Sequence, residues 1–390
     1  MLDNMLDNNM SRSRPSDILP DDLLAGSLVG RVWVSSPHPG PRPFVLRDGS
    51  LFDLSLLAPT LSHLFDLDDV ANRVSQHKAE MLCSLDEAID EQQLLAPCDL
   101  QAIKASGVTF ADSLIERVLE EKARGDLVQA AQIREQLAST FGGSIAGIKP
   151  GTDEAKQAKE LLLESGLWSQ YLEVGIGPDA EIFTKAQPMS AVGYGAEIGL
   201  HPDSEWNTSE PEIVLAVSSR GEIVGATLGN DLSLRDFEGR SALLLGRAKD
   251  NNASCAIGPF VRLLDDTFDL DDVRSAQVHL KVSGQDHFED KGTNCMSEIS
   301  RDPCDLVGAT IGPEHQYPDG VMLFLGTMFV PTKDRNGEGS GFTHELGDVV
   351  QISSPRLGTL VNVITTCDKA PAWNFGVRAL ASSLSARGLL

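Results

Sequence analysis

Apolar positions change their period twice along the chain. Over 28–54 they alternate with polar ones. Val32 and Val34 share a face, and Phe44-Val45-Leu46-Arg47-Asp48-Gly49-Ser50-Leu51-Phe52 sets an Asp-Gly pair between two short apolar runs, the mark of a tight hairpin. Polar helical text follows as far as Leu94-Leu95-Ala96-Pro97-Cys98, which reads as a boundary. Over 113–125 the spacing is helical: Leu114, Ile115, Val118 and Leu119 fall on one side, and Gly125 ends the run. Segments 127–137 and 153–163 repeat the pattern. After Trp168 the text turns to strands broken by Gly, Pro and Asn, with 349–352 and 360–364 the last clear ones. Helices first and strands afterwards predict an α+β fold and not alternating βαβ units. The expected division is a disordered tail over 1–20, a small α+β domain over 21–97 and a larger domain over 98–390.

Charge and composition narrow the function. A net charge of −25 argues against nucleic acid and anionic membranes as partners, since both need a basic footprint. No apolar run reaches the ~18–20 residues that span a bilayer. The opening MLDNMLDNNMSRSRPSD lacks the blocks of a secretory signal, and Met1, Met5 and Met10 are alternative starts. Six cysteines contain no C-x-x-C pair, so reduced thiols in a cytoplasmic protein are expected. Gly175-Ile176-Gly177 and Gly193-Tyr194-Gly195 read as turns, because neither opens a G-x-G-x-x-G motif. His201, His315 and His344 have no ligand-like spacing and are expected in loops or at the surface.

The chemistry concentrates in one stretch. Ser209-Glu210-Pro211-Glu212-Ile213-Val214-Leu215-Ala216-Val217 runs through Ser218-Ser219-Arg220-Gly221 into a second apolar run that ends at Gly229-Asn230-Asp231. This reads as a hairpin. Glu210 and Glu212 then project from one strand face. With the turn near Ser219 and Arg220, Asp231 falls just past the position opposite Glu210. Three converging carboxylates repel one another unless a cation joins them, and hard oxygen ligands suit Mg²⁺, with Mn²⁺ or Ca²⁺ as alternatives.

Glu210-Pro-Glu212 followed by Asn230-Asp231-x-Ser233-x-Arg235-Asp236 resembles the metal-binding signature of the fumarylacetoacetate hydrolase superfamily. So do Phe183-Thr184-Lys185, Lys249 ahead of Ile257-Gly258-Pro259, the Leu325-Gly326-Thr327 turn, and Phe342-x-His344-x-x-Gly347-Asp348. The resemblance implies a mixed β-roll catalytic domain over 98–390, with Glu210, Glu212 and Asp231 as metal ligands. The family's hydrolases carry a water-activating histidine early in this domain. Here Thr109 stands at the Asn or Asp position, Ser113 takes the place of the histidine, and Glu116 is retained. Serine is a poor base near neutral pH.

That departure, with Gly166-Leu167-Trp168-Ser169-Gln170-Tyr171-Leu172-Glu173, Lys249-Asp250-Asn251-Asn252 and Ser300-Arg301-Asp302-Pro303, resembles the branch that dehydrates 2-keto-3-deoxy-pentonates of the xylonate and arabinonate type. The resemblance implies a lyase that forms 2,5-dioxopentanoate through an enolate held by the metal. It needs a base for one proton and an acid for the departing hydroxyl. Glu116 and Lys185 are the candidates for these roles. Lys249 either pairs with the ligand carboxylates or binds substrate, Thr327 binds the substrate carboxylate, and Ser113 and Arg301 serve the sugar hydroxyls. A homodimer or homotetramer is expected. An acylpyruvate hydrolase and a non-catalytic sugar-acid sensor are the competing readings.

Overall fold

β-Branched and aromatic residues at alternate positions give this chain its strands, and Gly, Asn and Asp set where each run turns. The computed structural model describes residues 18–22, 26–111, 114, 115, 117, 118, 122, 132, 133, 135, 136, 148–337 and 341–390. The early strands are β1 (Leu28–Val34), β2 (Gly40–Arg47), β3 (Ser50–Asp53), β4 (Met81–Ser84), β5 (Leu94–Leu95) and β6 (Ala102–Ser106). As expected, Asp48 and Gly49 make the β2–β3 turn, both at positive φ. After Trp168 follow β7 (Ile182–Ala186), β8 (Glu197–Leu200), β9 (Asn207–Thr208), β10 (Pro211–Val217), β11 (Ile223–Asp231), β12 (Ser233–Leu234) and β13 (Cys255–Leu263). The last are β14 (Gln277–Ser283), β15 (Glu289–Cys295), β16 (Val321–Phe324), β17 (Val349–Ser354) and β18 (Gly358–Thr366).

The fold is α+β, with two main mixed sheets. One runs β4-β3-β2-β1-β13-β11-β10-β16-β6-β7, with β5 also paired to β1; the other runs β15-β14-β17-β18-β8. Pairing is antiparallel except β16 with β6 and β18 with β8. The central strand β10 is buried on both faces. Ile213, Leu215 and Val217 point toward the second sheet and share a core with Val278, Leu280 and Ile352. Val214 and Ala216 point the other way, into a core with Val29, Leu61, Phe65 and Val261. Two-sided burial explains the unbroken apolar run 213–217, where alternation is lost.

The first strands therefore extend the sheet of the larger part: Leu28 pairs with Arg262 and Val29 with Val261. Ladder bonds cross the boundary expected at 97/98, and both main cores draw residues from its two sides. Residues 1–17 of the expected tail lie outside the described residues. Ile18, inside that tail by the sequence reading, is fully buried. Its carbonyl packs against Gly358, where φ is +83° and a Cβ would meet the oxygen at 2.2 Å.

The 153–163 helix is present as Asp153–Glu164, capped by Thr152, whose hydroxyl accepts from the Ala155 N–H. It packs with the Gln170–Ile176 helix, Leu114 and Val118. The helices expected over 113–125 and 127–137 fall mostly outside the described residues. No helix among the described residues is long and apolar enough to cross a membrane.

Candidate metal centre

The β10–β11 hairpin builds the site. Glu212 pairs with Gly229 and Pro211 with Asn230, and a bulge at Ala216/Val217 adds the residue that brings Asp231 directly opposite Glu210. The Asp231 N–H donates to the Glu210 carbonyl at 3.0 Å. Glu210, Glu212 and Asp231 are all buried, and each offers an oxygen within 4.8 Å of the other two. Burying a carboxylate costs several kcal/mol unless it is paired, so three together need cations.

Two lysines and an arginine supply them. Lys249 Nζ donates to Glu210 Oε2 at 2.7 Å and to Asp231 Oδ2 at 3.0 Å. Burial by itself would lower the pKa of this amine, but Asp231, Glu210 and Glu238 outweigh burial and raise it. Lys185 Nζ lies 2.8 Å from Asp231 Oδ1, and donates to the carbonyls of Leu232 (2.9 Å) and Lys249 (2.7 Å). Arg117 Nη2 donates to Glu210 Oε1 at 2.6 Å, and Nη1 lies 3.5 Å from Glu238. Burial pushes the Asp231 pKa up, yet Lys185 and Lys249 hold it below the usual range. Glu212 behaves oppositely. Burial, then Asp231 and Glu210, raise its pKa well above the usual value, and the Gly326 N–H offsets only part of this.

The 325–327 turn holds Glu212. The Gly326 N–H donates to Oε2 at 2.7 Å, and the Thr327 hydroxyl sits 3.4 Å from Oε1. Gly326 has φ +106°, and a Cβ there would lie 2.0 Å from the Thr109 hydroxyl. Thr109 in turn donates to the Leu325 carbonyl at 2.6 Å. Thr109 thus braces the turn that holds Glu212. Beside the trio is a narrow cavity of about 20 Å³, lined by Ser106, Tyr171, Glu181 and Thr327, with Arg117 and Lys249 reaching into it. Burial first, then Glu238, raises the Glu181 pKa.

Lys185, Lys249 and Thr327 therefore gather around the carboxylates. Ser113 and Glu116 lie outside the described residues. Arg301 does not line this cavity; its guanidinium donates to the carbonyls of Val174 and Gly177, both at 2.8 Å, closing the end of the Gln170–Ile176 helix. His344, expected in a loop or at the surface, lies in a loop but is buried. Nδ1 lies 3.0 Å from Asp348, and Nε2 accepts from the N–H of Ser209, the residue before Glu210. Spacing rules for ligands say nothing about a histidine used as a brace. The sequence reading also missed Arg117, Glu181, Glu238 and Ser106. Period-two alternation of 181, 183 and 185 carries a signal for Glu181, and Arg117 adjoins Glu116.

The donor set fits a hard divalent cation. Three carboxylates converge, and Asp231 Oδ1 receives no well-directed hydrogen bond although Lys185 stands beside it. Among the described residues, with Glu181 and Glu238 included, five carboxylates face three cations, an excess that a divalent ion would offset.

Residues 156–365 match the sequence profile described as fumarylacetoacetate (FAA) hydrolase C-terminal. A Haloferax volcanii protein named "Probable 2-keto-3-deoxyxylonate dehydratase" is 29% identical over 327 residues, covering 82% of this chain and 94% of that protein. The Saccharolobus solfataricus "2-dehydro-3-deoxy-D-arabinonate dehydratase" is 32% identical over 184 residues, 47% of this chain and 58% of that protein. A solved structure of 2-keto-3-deoxy-D-arabinonate dehydratase complexed with magnesium and 2,5-dioxopentanoate has the same fold. Its TM-score is 0.58 at 20% identity, over 87% of this chain and 99% of that one. The profile match spans the carboxylate hairpin and both lysines. The chain belongs to the fumarylacetoacetate hydrolase family.

Proposed function

We propose that this chain is a Mg²⁺-dependent lyase that removes water from a 2-keto-3-deoxy-pentonate of the xylonate or arabinonate type, giving 2,5-dioxopentanoate. The observation that carries the reading is the buried trio Glu210, Glu212 and Asp231, backed by Lys185 and Lys249. Two relatives named as dehydratases of such acids support it. The three carboxylates would hold Mg²⁺, whose chemistry is Lewis-acid stabilisation of charge on the ketone oxygen of a 2-keto acid.

The remaining work falls to side chains. One proton leaves the carbon next to the ketone and the hydroxyl one carbon further departs as water, leaving an unsaturated ketone. The terminal carbon and its hydroxyl then each give up a proton while the two carbons between it and the ketone each gain one, through a dienol, and the terminal carbon becomes the aldehyde. Glu116 and Lys185 are the proposed proton carriers; the Leu232 and Lys249 carbonyls fix where the Lys185 amine sits. Thr327 and Lys249 would meet the substrate carboxylate. The Ser106 hydroxyl lines the cavity, is buried and has no hydrogen-bond partner among the described residues, so it is available to a sugar hydroxyl. A homodimer or homotetramer is the proposed assembly, since closed two-fold symmetry is the commonest arrangement; light scattering tests it.

The deciding assay supplies Mg²⁺ and offers 2-keto-3-deoxy-pentonates and acylpyruvates side by side. Aldehyde formation with the higher kcat/KM is the expected result. Faster release of pyruvate from the acylpyruvates would overturn the proposal in favour of a hydrolase.

A further inference from the structure

A second cavity, of about 650 Å³, lies between β1, the 94–96 segment, residues 189–197 and the 371–375 segment. It shares no lining residue with the cavity at the carboxylates. Its volume falls in the range of small-molecule sites. One wall is aromatic: Trp33 and Phe375 meet edge to face with ring centroids 5.1 Å apart, and Trp373 stands beside them. Asn252 fastens that wall, donating to the carbonyls of Cys367 and Pro371.

Arg31 is the residue that gives the cavity a chemistry. It is 95% buried, with 5% exposure, and lines the cavity. Its Nε donates to the Ala96 carbonyl at 2.9 Å, and no carboxylate among the described residues lies within 4 Å of its guanidinium. Two arginines buried at least as deeply have a counter-ion: Arg262 has Asp22 and Arg335 has Asp348. A guanidinium taken out of water without a counter-ion is costly, and its planar fork suits a carboxylate. Glu197 is the other charged group on the wall, and its negative charge favours a monoanion over a dianion.

We infer that this cavity is a second binding site, for a small monocarboxylate with a flat apolar body. The carboxylate pairs with the two terminal nitrogens of Arg31, and the apolar body lies against Trp33, Trp373 and Phe375. A 2-keto-3-deoxy-pentonate, a short flexible chain with a ketone and two hydroxyls, offers no flat apolar face to this aromatic wall. The site is therefore selective against the proposed substrate and serves another metabolite class.

The test is intrinsic tryptophan fluorescence of the full chain, since two of its four tryptophans line the cavity. The probes are 3-phenylpropionate and benzoate, each compared with its primary amide. Saturable quenching by the acids, at least tenfold weaker for the amides, is expected. Arg31→Gln should abolish it, and Trp373→Ala should weaken it. Trp373 is 48% exposed, so its loss leaves the core intact if Arg31→Gln fails to fold. Glu212→Gln should leave probe binding unchanged. Equal binding of acid and amide, no saturable quenching, indifference to Trp373→Ala, or loss of binding in Glu212→Gln would each overturn the inference.

Discussion

Lys185 Nζ donates to the backbone carbonyl of Lys249 at 2.7 Å, and the two side chains close on opposite oxygens of Asp231. Asp231 is thus held ionised from both sides. Lys185→Met leaves that buried carboxylate half-compensated, and breaking a buried pair in this way costs about 3–5 kcal/mol. Urea unfolding of the variant should show a loss of this size. An unchanged midpoint would reject the clamp.

Glu212 gives the opposite sign. Burial and its two carboxylate neighbours already disfavour its charge, so Glu212→Gln should leave metal-free stability unchanged or higher. Magnesium binding should nevertheless fall by more than the ~10–100-fold typical of outer partners, since Glu212 is one of the three proposed ligands. Calorimetric titration with Mg²⁺, alongside thermal unfolding in chelator, reads both effects. Full magnesium affinity in this variant would remove Glu212 from the ligand set.

Stability should show an acid step from His344. Burial outweighs Asp348 and holds the imidazole pKa below 6.5. The unfolded chain therefore takes up the proton first on acidification. The stabilisation is complete above about pH 6.5 and is lost as pH falls from there toward the lower folded value. For Asp348, burial raises the pKa but the bonds to His344 and Arg335 prevail and lower it, so its own contribution persists until below about pH 4. Melting temperatures in chelator between pH 7.5 and 5 should decline, and His344→Gln should flatten that decline. A slope that survives the substitution assigns it elsewhere.

Glu116→Gln should reduce dehydration about 10²–10⁴-fold, the usual worth of a general acid or base. Magnesium binding should change little, because Glu116 is not on the carboxylate hairpin. Equal losses in metal affinity and in rate would place Glu116 among the ligands.

What could be read in advance followed from local rules. Period-two geometry put Glu210 and Glu212 on one face, and the Asp-Gly pair located the β2–β3 turn. The bulge at Ala216/Val217, which brings Asp231 into register with Glu210, leaves no composition signal. Arg117 reaches Glu210 across 93 positions of sequence, and β1 finds β13 across more than 200, distances over which periodicity is silent. His344 lies in a loop, as its lack of ligand-like spacing suggested, but its burial could not be read from spacing, because its two ring nitrogens find their partners inside. Buried polar residues are recognised only when their partners are known.

The N-terminal segment is the counter-ion of the strand beside the metal hairpin. Arg262, on β13, is almost wholly buried, and Asp22 grips it through both terminal nitrogens at 2.6 and 2.9 Å. Cutting the chain at residue 98 would strand that guanidinium without its carboxylate and strip β1 from β13. A strand buried along its whole length would become an open, apolar edge, the kind of surface that pairs with other chains. That edge would adjoin β11, which carries Asp231. A version shortened at residue 98 is therefore expected to aggregate instead of folding as a separate module.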